Sequence, residues 1–327
     1  MHIKEYGGYN VFSSDREIKN DIFSKRNLYS LNLARNGLEL LLRARKAECV
    51  HAPYYTCHSI HKVLENNVPE IRYYHIDEEF FPVVSDDEVG DDHIFLINNY
   101  FGVFDRPVNT FIKKYGSRVI VDNSQGFYSK FPDNIDQILS PRKFFGVTDG
   151  GLLITEKDIM ALYRPLDVDM SAERIKHLFM SDESSKDACY KEYLEYRNSI
   201  QVLEPMKMSV TTRVLLNTID IDYCKNKRIG NYNRMSQILG KYNSLNIPEV
   251  SGLAPMCYPF LARRKILKKH LVERGVYVGT YWPLLSSTKS ESSFEALLRG
   301  DLCCLPIDQG MDIDDVDYVA KLVISLL

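Results

Sequence analysis

The chain has 327 residues, of which 45% are hydrophobic, enough for one large or two modest cores. A formal net charge of −3, with acids and bases interspersed, argues against a nucleic-acid partner. No apolar run approaches membrane-spanning length, the N-terminal Met1-His2-Ile3-Lys4-Glu5-Tyr6 lacks a signal-peptide core, and seven cysteines include no Cys-x-x-Cys pair, so a cytoplasmic protein with reduced thiols and no membrane partner is expected.

Residues 1–32 read as an N-terminal arm, because Tyr6-Gly7-Gly8-Tyr9 and the charged stretch behind it show no periodicity. The pattern changes at Leu33-Ala34-Arg35-Asn36-Gly37, a polar turn that opens an apolar helix. The unpaired N–H groups at such a helix start can bind a phosphate, although a helix start with Arg35 facing solvent is the other reading. An apolar run at Cys49-Val50-His51-Ala52-Pro53 leads to Tyr54-Tyr55-Thr56-Cys57 and a helix over about 58–65. Cys57, His58 and His61 raise a metal hypothesis, since helical spacing puts His61 on a face with Cys57 or with His58. Without a second ligand cluster, no metal is expected.

Strand-like runs follow at 71–76 and 93–98, with Ser85-Asp86-Asp87-Glu88 between them as a solvated loop. Asn99 in Asn99-Tyr100-Phe101-Gly102 stands at a strand end, where asparagine is an ordinary turn former. A helix over about 108–115 precedes Arg118-Val119-Ile120-Val121-Asp122-Asn123-Ser124-Gln125-Gly126. Ligands of open parallel sheets collect at the carboxyl ends of strands, so Asp122 stands where a binding acid belongs. The alternation of strand and helix argues for a mostly parallel sheet covered by helices on both faces.

The rest of the chain is organised around Ser140-Pro141-Arg142-Lys143-Phe144-Phe145-Gly146-Val147-Thr148-Asp149-Gly150-Gly151. Lys143 lies shortly after the apolar pair Ile138-Leu139 and before a Gly-Gly pair that enters Leu152-Leu153-Ile154-Thr155. Apolar walls that desolvate its ammonium release a neutral, nucleophilic amine, and the glycines allow close approach and positive φ. Pyridoxal 5'-phosphate requires a lysine to hold its aldehyde and a carboxylate to keep its ring nitrogen protonated, the pair that Lys143 and Asp122 offer.

Beyond Thr155 a helix should end near Arg164-Pro165, and 172–202 carries no motif. A helical stretch over 209–239 bridges to Ile247-Pro248, the entry to a smaller part with an apolar run at 258–262, a helix over 265–274 and Val276-Tyr277-Val278. Arg263 and Arg264 read as solvated, and Tyr281-Trp282 as core or as a substrate mouth. A last helix over about 314–326 spaces Val316, Val319, Leu322 and Val323 as a core stripe. The expected partition is an arm (1–32), a cofactor-binding large domain (33–205), bridging helices (206–246) and a small C-terminal domain (247–327).

The two central motifs, Asp122-Asn123-Ser124-Gln125 and Lys143 through Gly150-Gly151, resemble those of the DegT/DnrJ/StrS sugar aminotransferases, a group of fold-type I pyridoxal-phosphate enzymes. The resemblance runs from about Leu33 to the C-terminus and is weakest over 164–205. It implies an α/β, aspartate-aminotransferase-like large domain with a mostly parallel sheet, plus a smaller α+β domain. It implies further that Lys143 holds the cofactor and shuttles the proton, that Asp122 faces the pyridinium and that Gln125 faces the ring oxygen. Ser140, closer to the lysine than is usual, and the turn Arg35-Asn36-Gly37, which lacks the family's hydroxyl, match phosphate-binding positions. Asn99 matches a residue near the ring substituents. Cys57 occupies the position of the stacking aromatic, for which Tyr55 and His58 are alternatives.

The family's Gly-x-Asn-x-Arg segment, which reaches a neighbouring subunit, is replaced by Glu204-Pro205-Met206-Lys207-Met208-Ser209, leaving Lys207 or Ser209 as candidates in a homodimer. The function implied is transfer of an amino group from glutamate to a nucleotide-linked keto sugar for surface polysaccharide biosynthesis. An idle scaffold or regulatory homologue is the alternative that the missing asparagine and Cys57 motivate. A sugar dehydratase using the same cofactor is another, against which Lys143 argues, since the related dehydratases carry histidine there.

Overall fold

Cys49–Pro53, Ile94–Asn98 and Val119–Asp122 are buried at every residue and have no face to turn to water, so they must lie inside a sheet covered on both sides. The computed structural model describes residues 27–180, 186–249, 252–262, 267–282 and 293–327. Its first half runs β1 (Leu28–Leu31), α1 (Ala34–Arg45), β2 (Cys49–Pro53), α2 (His58–Asn67), β3 (Glu70–Ile76), β4 (Pro82–Val83), β5 (Ile94–Asn98), α3 (Asp105–Tyr115), β6 (Val119–Asp122), β7 (Asp136–Leu139) and β8 (Gly151–Ile154). There follow α4 (Met160–Tyr163), α5 (Lys186–Ser199), α6 (Val210–Thr218), α7 (Ile221–Leu239), β9 (Tyr258–Leu261), α8 (Leu267–Glu273), α9 (Ser293–Asp301), β10 (Leu302–Leu305) and α10 (Ile313–Leu326).

Eight strands form one sheet in the order β1-β8-β7-β6-β5-β2-β3-β4. Strands β7, β6, β5, β2 and β3 are parallel, and β8 runs antiparallel between β1 and β7. This is the expected α/β class with a mostly parallel sheet. One face packs Val50, Leu96, Ile120, Ile138 and Leu153 against Leu38, Leu41 and Ile60 of α1 and α2. The other packs Phe95, Ile97 and Val121 against Val108 and Phe111 of α3. Strands β9 and β10 make a separate antiparallel pair, and their core is continuous with the sheet through Tyr55, Tyr100 and Phe101, which join Tyr258, Cys304 and Val316 in one cluster.

Several boundaries differ from the sequence reading. Residues 28–31, expected within the arm, are an edge strand that pairs with β8 from Leu28↔Ile154 to Leu31↔Gly151. The helix expected over 209–239 is two, because the Asp220 carboxylate accepts the Tyr223 N–H at 2.8 Å and starts α7 afresh. Helix α3 begins at Asp105 and includes Pro107, which a first turn tolerates since its N–H would be unpaired there. Within 172–202 lies α5, and 276–278 has no ladder partner among the described residues. The N-terminal Tyr6-Gly7-Gly8-Tyr9, Arg263, Arg264, Pro283 and Leu284 lie outside the described residues.

Candidate active site

The carboxyl ends of β2, β5, β6 and β7 reach one edge of the sheet, and the chain that leaves β7 there carries Lys143. Ser140 is extended, and Pro141–Lys143 make a single tight turn closed by Lys143 N–H to Ser140 O at 3.1 Å and Phe144 N–H to Pro141 O at 2.9 Å. Phe144 and Phe145 bury their rings against Phe127 and Tyr128, which fixes the turn from below. From the side, Phe144 O accepts the Gln309 amide at 2.9 Å and Arg228 Nη2 at 3.4 Å, while the Arg228 guanidinium lies 5.0 Å over the Phe144 ring.

The glycine pair has a steric cause. Gly150 sits at φ +120°, where side chains are strained, and its N–H reaches Asn32 O. A Cβ on Gly151 would lie 2.1 Å from the Leu33 carbonyl carbon. The pair therefore lets β8 pass beneath the start of α1, bringing that helix to the Lys143 turn. Gly37 serves the same packing, its missing Cβ facing Leu153 Cβ at 3.2 Å. Asp149 is fully buried, accepting Ser209 N–H and Oγ at 2.7 Å each and the Thr212 hydroxyl, so it ties the start of α6 to the same loop.

Lys143 opens onto a cavity of roughly 660 Å³ whose walls include Arg142, His177, Tyr196, Arg228 and Tyr281. Burial pushes its ammonium below the usual lysine range, against the pull of Asp122 and then Cys57, while Arg142 adds to the lowering. Asp122 ends β6, buried, with Oδ1 accepting the Ser124 N–H at 3.0 Å. Gln125 is oriented by its own carbonyl, which accepts the Phe101 N–H at 2.9 Å. Its buried Nε2 consequently points the other way and has no partner among the described residues. Cys57 stands at the start of α2 without a side-chain cap, its thiol 3.2 Å from Ser59 Oγ. Ser140 is buried at the head of the lysine turn.

Other expected site residues make their hydrogen bonds within the protein. Arg35 Nη2 donates to Ile200 O at 2.5 Å and Gln201 O at 3.2 Å, and burial, then Arg142, lowers its pKa. Asn36 Nδ2 lies 2.8 Å from Asn32 Oδ1 and 3.0 Å from Glu204 O. Asn99 Nδ2 faces Asp105 Oδ1 at 2.8 Å, with Asn123 Oδ1 and Ser129 Oγ at 2.9 Å each, a network under Gly126 rather than in the cavity. Tyr55 is core, its hydroxyl donating to Tyr281 O at 2.7 Å. His58 is exposed, whereas His61 is buried edge-on to Tyr73. Lys207 Nζ reaches Arg164 O at 2.9 Å, and Ser209 caps α6. Tyr281 lines the cavity, and Trp282 packs against Tyr55 and Tyr100.

The sequence reading missed Arg142, Tyr196 and His177. Arg142 Nη1 donates to Tyr196 Oη at 3.0 Å, Tyr196 donates to Thr148 O at 2.8 Å, and His177 stacks on Tyr196 at 4.1 Å. Burial lowers the His177 pKa, so its ring favours the neutral form. The spacing of Tyr190, Tyr193 and Tyr196 by three residues was the available signal for a helix face.

No protein-family model matches the chain, and neither does any curated protein. Solved structures do resemble it. A DegT DnrJ EryC1 StrS aminotransferase from Brucella abortus superposes with a TM-score of 0.64 at 14% identity, over 95% of this chain and 88% of that one. The sugar aminotransferase CalS13 from Micromonospora echinospora gives 0.66 at 13% identity, over 93% and 89%. Spr1654 from Streptococcus pneumoniae, in its PLP-form, gives 0.61 at 12% identity, over 94% and 90%. The fold of these aminotransferases is the fold of this chain.

Proposed function

We propose that the chain is a pyridoxal-phosphate-dependent aminotransferase that moves an amino group from glutamate onto a nucleotide-linked keto sugar. The observation that carries this reading is the half-buried Lys143 in the turn after β7, its pKa lowered by burial and within the field of Asp122 at the end of β6, with the buried Nε2 of Gln125, unpartnered among the described residues, as a third group. A buried donor without a partner costs stability unless a ligand completes it, and the cofactor's ring oxygen is an acceptor of the right kind. The residues therefore fit the group. Lys143 would bind its aldehyde, Asp122 its ring nitrogen and Gln125 its ring oxygen. Ser140 and the free N–H groups at the start of α2 would face its phosphate.

When bound, pyridoxal phosphate supplies a sink for the electron pair left behind as a proton departs from carbon. The chain's own contribution is the proton transfer. With its pKa lowered by burial, Lys143 can act as the free amine that takes the proton and returns it. Arg142 and the tyrosine-lined wall support an anionic, ring-containing substrate. Among the described residues no helix is long and apolar enough to cross a membrane, which supports a cytoplasmic site of action.

Borohydride reduction of the cofactor-loaded protein, followed by peptide mapping, tests the assignment. A pyridoxyl group on Lys143 is expected, and one on any other lysine overturns it. In the unreduced protein, glutamate should bleach the visible absorption and 2-oxoglutarate restore it, whereas an indifferent band marks an idle scaffold. The same reading carries a homodimer, and an active monomer in light scattering would refute that part.

A further inference from the structure

At the opposite ends of the same strands, remote from Lys143, three side chains that ligate metals converge. Cys49 and His51 stand two residues apart on β2 and so share a face of the sheet, and His93 immediately precedes β5. The parallel register of Val50↔Ile94 and His51↔Phe95, carried back by one residue, sets His93 beside Cys49. One ligand atom from each of the three lies within 4.8 Å of the others, and His51 Nε2 is 2.9 Å from His93 Nδ1. Cys49 and His51 are buried while His93 is half-buried, which leaves a route from solvent.

The two rings are held in place. His51 stacks on Phe95 at 4.8 Å, and Phe95 stacks in turn on Tyr115 at 4.2 Å. The Gly90 backbone laps over His93 so closely that a Cβ would lie 2.7 Å from Nε2, and the Gly90 N–H points at Nδ1 from 3.1 Å. Arg118 fixes that loop through Gly90 O at 2.7 Å and Asp91 O at 3.2 Å. Glu70 and Asp92 add negative charge near Cys49, with Glu70 paired to Arg72. A hydrogen-bonded histidine pair accounts for the two nitrogens but not for the thiol beside them.

We infer that Cys49, His51 and His93 form a site for one divalent ion of the zinc class, completed by water or a neighbouring carboxylate. Tetrahedral zinc holds nitrogen at about 2.0 Å and sulfur at about 2.3 Å, which sets neighbouring ligand atoms roughly 3.3–3.6 Å apart. To reach that spacing the two histidine nitrogens, 2.9 Å apart, must open by about 0.4 Å, the thiol must close in from within 4.8 Å, and the Gly90 N–H must release the His93 Nδ1 lone pair to the ion. Two imidazoles and a thiolate select a borderline ion over magnesium or calcium. The ion would pin β2 to β5 and has no part in the chemistry at Lys143.

Cobalt(II), added to the full chain after chelator treatment, is the probe. Binding of a single equivalent with near-ultraviolet thiolate-to-cobalt absorption is expected, and zinc should displace it. Cys49→Ser should lose that absorption, while Cys189→Ser keeps it. His93→Gln, at a half-buried position that can be checked for unchanged circular dichroism, should bind cobalt at least roughly ten-fold more weakly and lose any rise in Tm with zinc. Absence of the thiolate band in the unaltered chain overturns the site. So does a band that survives in Cys49→Ser, or unchanged affinity in His93→Gln.

Discussion

Replacing Arg228 by methionine tests how the Lys143 turn is held. Arg228 is 3% exposed and donates to Gln309 Oε1 at 2.9 Å, Met256 O at 3.1 Å, and Pro255 O and Phe144 O at 3.4 Å each. Phe144 O keeps the Gln309 amide when the guanidinium is removed, so three acceptors lose a donor. At about 1 kcal/mol each the loss is about 3 kcal/mol, since methionine preserves most of the volume and leaves little cavity. An unfolding entropy of about 2.1 cal/mol/K per residue converts this to a Tm lower by about 4 °C for a chain of this length. Differential scanning calorimetry of the cofactor-free protein reads it directly. A Tm within about 1 °C of the unaltered chain would mean that shedding a desolvated charge offsets the lost bonds, and the clamp argument would fail.

Other perturbations probe separate links. Because the folded-state pKa of Lys143 is lowered, the folded chain binds fewer protons than the unfolded one between that value and the ordinary lysine pKa, so its stability rises with pH across that window. Lys143→Met should accordingly be more stable than the unaltered chain at pH 7, with the gain gone above about pH 10.5, as seen in urea titrations at both pH values. Gly151→Ala drives a Cβ into the Leu33 backbone and should cost about 3 kcal/mol or prevent folding, whereas Gly146→Ala, with nothing within 4 Å, should stay within about 0.5 kcal/mol in the same titration. Asp122→Asn should retain the cofactor yet lose roughly 100-fold in turnover, about 2.7 kcal/mol of barrier, in single-turnover decay with glutamate, and near-unaltered decay would make Asp122 a strand-end turn residue.

What was legible in the sequence follows from how local each cause is. The parallel sheet could be read because buried, β-branched runs such as Val119–Val121 admit no half-exposed arrangement. The places of Lys143 after a strand, of Asp122 at a strand end and of the glycine pair at a turn could be read because a strand end and a positive φ leave their mark within a few residues, while their roles belong to the proposed reading. The strand β1 could not, since four residues of Leu-Tyr-Ser-Leu carry little signal and their partner, β8, lies more than a hundred residues away. Arg35 stands at the helix start where the sequence places it, but its hydrogen bonds to the carbonyls at 200 and 201 could not be read, because the chain after α5 returns over α1 from more than 160 residues away. The network of Asn99 with Asp105, Asn123 and Ser129, which lie 6, 24 and 30 residues further on, was likewise not legible. The trio of Cys49, His51 and His93 required the strand order, which places β5 next to β2 although β3 and β4 intervene along the chain.

The displaced residues bear on how a phosphate would be held. The family's hydroxyl is missing from Arg35-Asn36-Gly37, and both side-chain donors of that turn are committed to protein oxygens. Yet Arg35 lies close enough to Arg142 for each to feel the other's charge, and Arg142 acts likewise on Lys143, with Cys57 near both Arg35 and Lys143. Two guanidinium groups thus lie near the start of α2, where the Ile60 and His61 N–H groups turn back to Cys57 O and, among the described residues, leave the N–H groups of His58 and Ser59 for a ligand. Cys57, Glu39 and Glu204 only partly offset burial and Arg142 at Arg35, whose pKa stays lowered, and desolvated like charges repel strongly. A dianionic group at this helix start relieves the repulsion, so the arginines can act through charge where the family uses a hydrogen-bonding hydroxyl. On the proposed reading, weakening of cofactor binding by salt should therefore be steeper in the unaltered chain than in Arg142→Met, because an interaction carried by charge is the one that ions screen.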